Sequence, residues 1–251
     1  MGEQPSEQKK RELPRLLSVV IPCFNEQENV WPLYERLCSV LDVLPFPSEI
    51  LYIENGSHDA TGHHLEALVQ KDPRIRVLVF TRNFGYQGAI SAGLEFAKGD
   101  AVVVMDGDLQ DPPELIPLFL DKWHEGFFIV YGTRAKRQAS FFYQMGYKAF
   151  YRLMRSFAYI DIPLDASDFA LMDRRVVDVL NRMPERDRLI RGMREFTGFR
   201  HTGIPYDRPA RERGVSHFTF TDYVRFAQRS IFAFSYKPLE MISIIALIVV
   251  G

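Results

Sequence analysis

The sequence predicts an α/β protein, a mostly parallel sheet flanked by helices. Three observations point to it. Short apolar, β-branched runs alternate with segments of helical periodicity across loops of a few residues, the pattern of parallel strands joined by right-handed crossovers. Polar residues cluster just after four of those runs, following Ile21, Ile53, Phe80 and Met105, on the edge where such sheets present ligand groups. The fourth run, Ala101-Val-Val-Val-Met105, passes straight into Asp106-Gly-Asp108.

Leu16 to Pro22 reads as a buried strand stopped by Pro22. After Asn25 and Glu26 a helix runs to about Leu44, with Pro32 tolerable only in its first turns. Ser48 to Glu54 is the second strand, ending in Glu54-Asn55-Gly56-Ser57. A helix through His63, Leu65, Leu68 and Val69 leads to the third strand, Ile75 to Phe80. The loop Thr81-Arg-Asn-Phe-Gly-Tyr86 opens a helix of small residues reaching Lys98. The central strand follows, then a helix carrying Leu115, Leu118 and Phe119, and a fifth strand from Phe127 to Gly132.

Beyond Gly132 the pattern changes. Tyr143, Tyr147, Phe150, Met154 and Phe157 fall at helical spacing, with Lys148, Arg152 and Arg155 alongside. Such a stripe suits a core helix or a helix lying in a membrane interface. Asp161 to Asp168 reads as a loop and Phe169 to Met172 as a strand. Arg174 to Met183 and Arg186 to Phe196 read as helices, and Arg200 to Tyr206 as extended chain. A basic loop from Arg208 to His217 precedes an amphipathic helix, Phe218 to Phe234. The apolar run from Leu239 to Gly251 is shorter than the roughly 20 residues of a spanning helix. It reads as the start of one, with a buried terminal helix as the alternative.

The chain thus divides into a polar, disordered tail (1–14), a half carrying the polar loops (15–135), a second half (136–217), an amphipathic helix (218–237) and the apolar run (238–251). Its net charge of −1 hides an asymmetry: Tyr131 to Lys237 holds 20 Lys and Arg against 11 Asp and Glu, whereas the remainder holds 11 against 21. An acidic half joined to a basic half suits a cation in the first and a phosphorylated or anionic-membrane partner at the second. No recognised nucleic-acid motif is present, so nucleic acid is not expected as a partner. The two cysteines, Cys23 and Cys38, show no metal spacing, and a reducing compartment is the simple reading.

The candidate chemistry starts at Asp106 and Asp108. In extended chain, residues two apart point the same way, so both carboxylates can converge on one hard cation, with Gly107 leaving the approach clear. The plainer reading is that they cap a strand-to-helix turn whose next helix Pro112 and Pro113 pre-set.

Three segments together resemble a known group. Val19-Val-Ile-Pro-Cys-Phe-Asn-Glu26, Asp106-Gly-Asp-Leu-Gln-Asp-Pro-Pro-Glu114 and Asp168-Phe-Ala-Leu-Met-Asp-Arg174 look like the inverting family 2 glycosyltransferases. The likeness is greatest to those that use a polyprenyl-phosphate acceptor, dolichyl-phosphate mannose synthase and undecaprenyl-phosphate glucosyltransferases. It runs from about Leu16 to the end of the chain, with the motifs in family order. The resemblance implies a GT-A fold whose Rossmann-like half, 15–135, binds a UDP- or GDP-sugar. Pro22, Asn25, Glu26, Glu54, Asn55 and Ser57 would border the nucleotide. Asp106, Asp108 and Gln110 would hold Mg²⁺ or Mn²⁺ on the diphosphate, and Asp168, with Asp108, would serve the reacting centre. Arg134, Arg208, Arg211 and Ser216 would meet phosphates of donor or acceptor. The acceptor is then a polyprenyl phosphate lipid, dolichyl or undecaprenyl, reached from the cytoplasmic face of a membrane to which the C-terminal helices anchor the protein. A homo-oligomer is left open.

Two positions depart from the pattern. Glu54-Asn55 stands where relatives carry an acidic pair, and His217 where they often carry Lys. These departures motivate a second reading, a membrane-tethered nucleotide-sugar-binding module without turnover. A processive polysaccharide synthase ranks lower, because no Trp follows Trp123 to complete the signature of that group.

Overall fold

A computed structural model describes residues 10–134, 166–186 and 188–207, without the side chains of Arg134 and Ala166. Its strands are β1 (Leu17–Cys23), β2 (Ser48–Glu54), β3 (Ile75–Val79), β4 (Ala101–Val104), β5 (Ile129–Arg134), β6 (Ala166–Asp173) and β7 (His201–Tyr206). Its helices are α1 (Val30–Leu41), α2 (Thr61–Lys71), α3 (Tyr86–Phe96), α4 (Ile116–His124), α5 (Arg174–Arg182) and α6 (Ile190–Phe196), with a 3₁₀ turn at Pro113–Leu115. The strands form one sheet in the order β3-β2-β1-β4-β6-β5-β7. Only β6 runs against the rest, antiparallel to β4 and to β5.

Strand β1 continues through Pro22, which the sequence reading took as its stop. Its backbone explains the difference. Val20 accepts the N–H of Met105 on the β4 side, whereas Cys23 accepts that of Asn55 on the β2 side. By alternation Pro22 faces β4, whose ladder with β1 ends at Val20–Val104. The missing N–H therefore falls where no ladder bond remains to be made.

Two apolar layers sandwich the sheet. On one face α1, α2 and α4 pack Leu33, Leu37, Leu65, Phe119 and Trp123 against Val19, Ile50, Val103 and Leu171. On the other, α3, α5 and α6 pack Ile90, Leu94, Val177 and Met193 against Val20, Ile53, Val104 and Ala170. The small residues of α3 follow from its close approach to β1: a Cβ on Gly93 would lie 2.1 Å from Val20 Cγ1.

Sequence expectation and structure differ most at β6. Asp168 lies inside the strand, not in a preceding loop, at an irregularity of the β5–β6 ladder: Ala170 to Met172 pair with Ile129 to Tyr131, and Ala166 pairs with Thr133. The strand also separates β4 from β5, so the chain's fifth strand is two places from its fourth. Among the described residues no helix is long and apolar enough to cross a membrane. The expected aromatic helix near Tyr143, the amphipathic helix 218–237 and the run 238–251 lie outside them.

Candidate active site

The C-terminal ends of β1, β2, β4 and β5, the loop after β3 and the N-terminal end of β6 share one edge of the sheet. The β4–β6 register matches Val103 with Leu171 and Val104 with Ala170. The ladder ends there, with Asp106 two residues beyond it after β4 and Asp168 two residues before it on β6, so the two acids lie at the same end of the sheet. Asp168 is part-buried, and its Oδ1 is buried without a hydrogen-bond partner.

The Asp106–Pro113 loop is held from below. Asp111 is 1% exposed; its Oδ2 accepts the Asp106 N–H at 3.1 Å and its Oδ1 accepts the Tyr206 hydroxyl at 2.8 Å. One carboxylate thus ties the end of β4 to the end of β7. Asp108 Oδ1 accepts the Gln110 N–H at 3.1 Å. Between them Leu109 adopts φ +64°, and across the cleft Asn25 adopts φ +56°. A left-handed leucine is uncommon, and such strain gathers at functional sites. Gly107 is confined as well as permissive, since a Cβ there would lie 3.1 Å from the Pro22 carbonyl oxygen and 3.3 Å from Cys23 Sγ.

The loops after β1 and β2 are laced together. Asn25 donates its N–H to Ser57 Oγ and accepts that of His58 on Oδ1. The Glu26 N–H donates to Thr61 Oγ1. Glu54 is buried, its carboxylate accepting the N–H groups of Gly56 at 3.2 Å and Ser57 at 2.6 Å. Asn55 is buried too, bonded to Asn83 and Phe84. Glu54 and Asn55, one of the departures noted in the sequence, therefore shape the loops after β2 and β3. Gly56 seats the first of these: at φ +72° its Cβ would meet Arg82 and Asn83 backbone atoms at 2.6–2.8 Å. Gly56→Ala is expected to cost about 1–3 kcal/mol of stability through overpacking, read as a lower urea midpoint. An unchanged midpoint would contradict the seat described.

Tyr86, the first residue of α3, donates its hydroxyl to Asp106 Oδ1. The residue keeps 36% exposure, yet its hydroxyl end is enclosed. Burial, then the negative charges of Asp106, Asp168 and Asp111, push the phenol far up, so it stays a donor. Below Asp168, the Arg194 guanidinium is 1% exposed. It donates to the Ser167 carbonyl at 3.3 Å, and its Nε sits 3.8 Å from Glu195 Oε1. Burial lowers its pKa, opposed by Glu195 and Asp168.

Sequence reasoning did not assign Asp111, Tyr86, Tyr206 or Arg194. A third acid before Pro-Pro, and a charge on the apolar stripe of Ile190 and Met193, were the signals available for two of them. Arg134 ends β5 opposite Tyr206. Arg208, Arg211, Ser216 and His217 lie outside the described residues. An open cavity of about 320 Å³ sits at the opposite sheet edge, lined by residues including Arg11, Arg15, Asp100 and Asp173. Its charges are paired, Arg15 with Asp100 and Arg11 with Asp173, and it lies away from the acid loops.

Among the described residues no three His, Cys, Asp or Glu side chains are placed to hold a metal ion by themselves. A cation of the Mg²⁺ kind takes one or two carboxylates and completes its shell with water and substrate phosphate. The Asp168 oxygen that lacks a hydrogen-bond partner is a group of that chemistry.

A model described as glycosyl transferase family 2 matches residues 18–180. An uncharacterized glycosyltransferase of Synechocystis is 41% identical over 90% of this chain and 71% of its own length. The bactoprenol glucosyl transferase of Shigella phage SfV is 36% identical over 93% of this chain and 76% of its own. Among solved structures, the fold resembles glucosyl-3-phosphoglycerate synthase of Mycobacterium tuberculosis in complex with Mn²⁺, UDP-glucose and phosphoglyceric acid. The TM-score is 0.56 at 16% identity, covering 86% of this chain and 77% of that one. The α/β sheet is therefore of the GT-A kind, and the chain belongs to glycosyl transferase family 2.

Proposed function

We propose that the protein is an inverting glycosyltransferase that moves a sugar from a nucleotide-diphosphate sugar, UDP- or GDP-linked, to a polyprenyl phosphate. The observation that carries this reading is the 36% identity to a bactoprenol glucosyl transferase over 93% of this chain, with Asp106 bonded by the Tyr86 hydroxyl at the sheet end where Asp168 lies. Asp106, Asp108 and Gln110 hold Mg²⁺ or Mn²⁺. When bound, the cation supplies Lewis-acid stabilisation of the departing diphosphate. Pro22, Asn25, Glu26 and Ser57 border the nucleotide, with Glu54 and Asn55 shaping that wall from behind.

A phosphate monoester has its second ionisation near pH ~6, as on phosphorylated side chains. The attacking oxygen is then already anionic, and a strong general base is not required. Asp168 orients the donor sugar at the reacting carbon. Holding two anionic substrates together costs Coulomb repulsion, which Arg134, Arg208 and Arg211, with Ser216, oppose through directed contacts. Segment 136–217 receives the acceptor at the cytoplasmic membrane face.

The test is to incubate membranes holding the full-length protein with labelled UDP- and GDP-sugars and polyprenyl phosphate. Label is expected in the organic phase for one donor, lost with chelator and lost in Asp108→Ala. Donor binding without label transfer across the panel would replace this reading with that of a binding module.

A further inference from the structure

We propose that Tyr86 is a positioning residue for the cation: its hydroxyl sets the orientation of the Asp106 carboxylate, while Asn55 holds Tyr86 in place. This rests on the cation reading above and names residues which that reading does not use. The hydroxyl donates to Asp106 Oδ1 from the start of α3. The loop that delivers it, residues 81–86, is exposed throughout, so something must hold it in one position.

Asn55 does so from the end of β2, where it is 3% exposed. Its Oδ1 accepts the Phe84 N–H at 2.9 Å and its Nδ2 donates to Asn83 Oδ1 at 3.3 Å. Asn83 Oδ1 also accepts the Gly85 N–H at 2.7 Å. Two backbone donors therefore fix the orientation of both amides, and an amide nitrogen at position 55 is the group that matches Asn83. An aspartate there would set two acceptors against each other. Gly56 fits directly beneath Arg82 and Asn83, and Gly85 at φ +84° turns the chain into α3. One residue on, Gln87 Oε1 accepts the Ile190 N–H at 2.9 Å, fixing the start of α3 from the other side. The phenol is thus held from both flanks.

A carboxylate with one oxygen held by a phenol has a set orientation, which suits an ion of near-octahedral demand. Partners that orient metal ligands in this way are typically worth about 10–100-fold in metal affinity.

The test titrates Mn²⁺ into the purified full-length protein with UDP, and with GDP in a parallel arm. Bound ion is read from the loss of the free-Mn²⁺ paramagnetic resonance signal, with no acceptor present. Tyr86→Phe is expected to weaken Mn²⁺ binding about 10-fold with a melting temperature little changed, since the ring stays and only one hydrogen bond, at the first turn of α3, is lost. Asn55→Asp is expected to weaken it in the same direction. The double variant is expected to be no worse than the poorer single, because Asn55 acts through Tyr86. Wild-type affinity in Tyr86→Phe overturns the inference while leaving the cation reading intact. Additive losses overturn the part assigned to Asn55. Failure of the wild type to bind Mn²⁺ with either nucleotide overturns the cation reading and this inference together.

Discussion

Asp168→Asn is expected to lower kcat for sugar transfer about 100-fold, because the donor sugar loses the charged group that orients it, with the fold little changed. The substitution keeps the shape of the side chain and removes its charge. If Asp168 merely filled the end of β6, an isosteric amide would be neutral for the reaction. Two stability effects oppose each other here. A buried carboxylate oxygen without a partner is costly to keep, whereas its attraction to the buried Arg194 guanidinium is favourable. The melting temperature should therefore move little while turnover collapses. Steady-state kinetics beside a thermal melt distinguish this from simple unfolding; retained turnover in a folded Asn variant would remove Asp168 from the mechanism.

Arg194→Leu is expected to be the most damaging change to stability, about 3–5 kcal/mol, because it removes one member of a buried charged set. The guanidinium is fully enclosed, bonded to the Ser167 carbonyl and set 5.1 Å from the centre of the Tyr131 ring. Glu195 beside it is buried, its carboxyl pushed up by that burial and held down by Arg194 and His201. Without the Arg, Glu195 and Asp168 face the interior with less compensation. Pairing Arg194→Leu with Glu195→Gln should restore part of the loss, a non-additivity expected of groups in contact. Arg194→Lys keeps the charge but not the planar contact with Tyr131, and should fall between. Urea unfolding of the four proteins measures all three expectations. An Arg194→Leu midpoint equal to wild type would mean that the buried cation is not needed.

Much of this fold was legible because its parallel strands are nearly unbroken apolar runs, Val19 to Ile21 and Val102 to Val104 being the clearest. Each such run ends in polar residues on the same edge, and the structure gathers those ends together. The position of β6 was not legible. Ala166-Ser-Asp carries no strand pattern of its own, and its extended form comes from pairing with β5, distant in sequence. Pro22 misled for a related reason, since its tolerance depends on where the neighbouring strand stops. The acids at 106 and 108 stood out by spacing alone. Asp111, Tyr86 and Arg194 did not, because each takes its meaning from a partner on another element: Tyr206, Asp106 and the Asp168 strand end. Glu54-Asn55 read as a departure from a ligand-binding pair; in three dimensions Glu54 is turned to its own loop and Asn55 to the loop after β3.

The most direct measurement is a manganese anomalous difference map from crystals of the full-length protein soaked with Mn²⁺ and its nucleotide sugar. A single peak between the carboxylates of Asp106 and Asp108, touching the diphosphate, is the expected result. Nucleotide bound with no peak at those carboxylates, or a peak elsewhere on the sheet, would contradict the proposed chemistry.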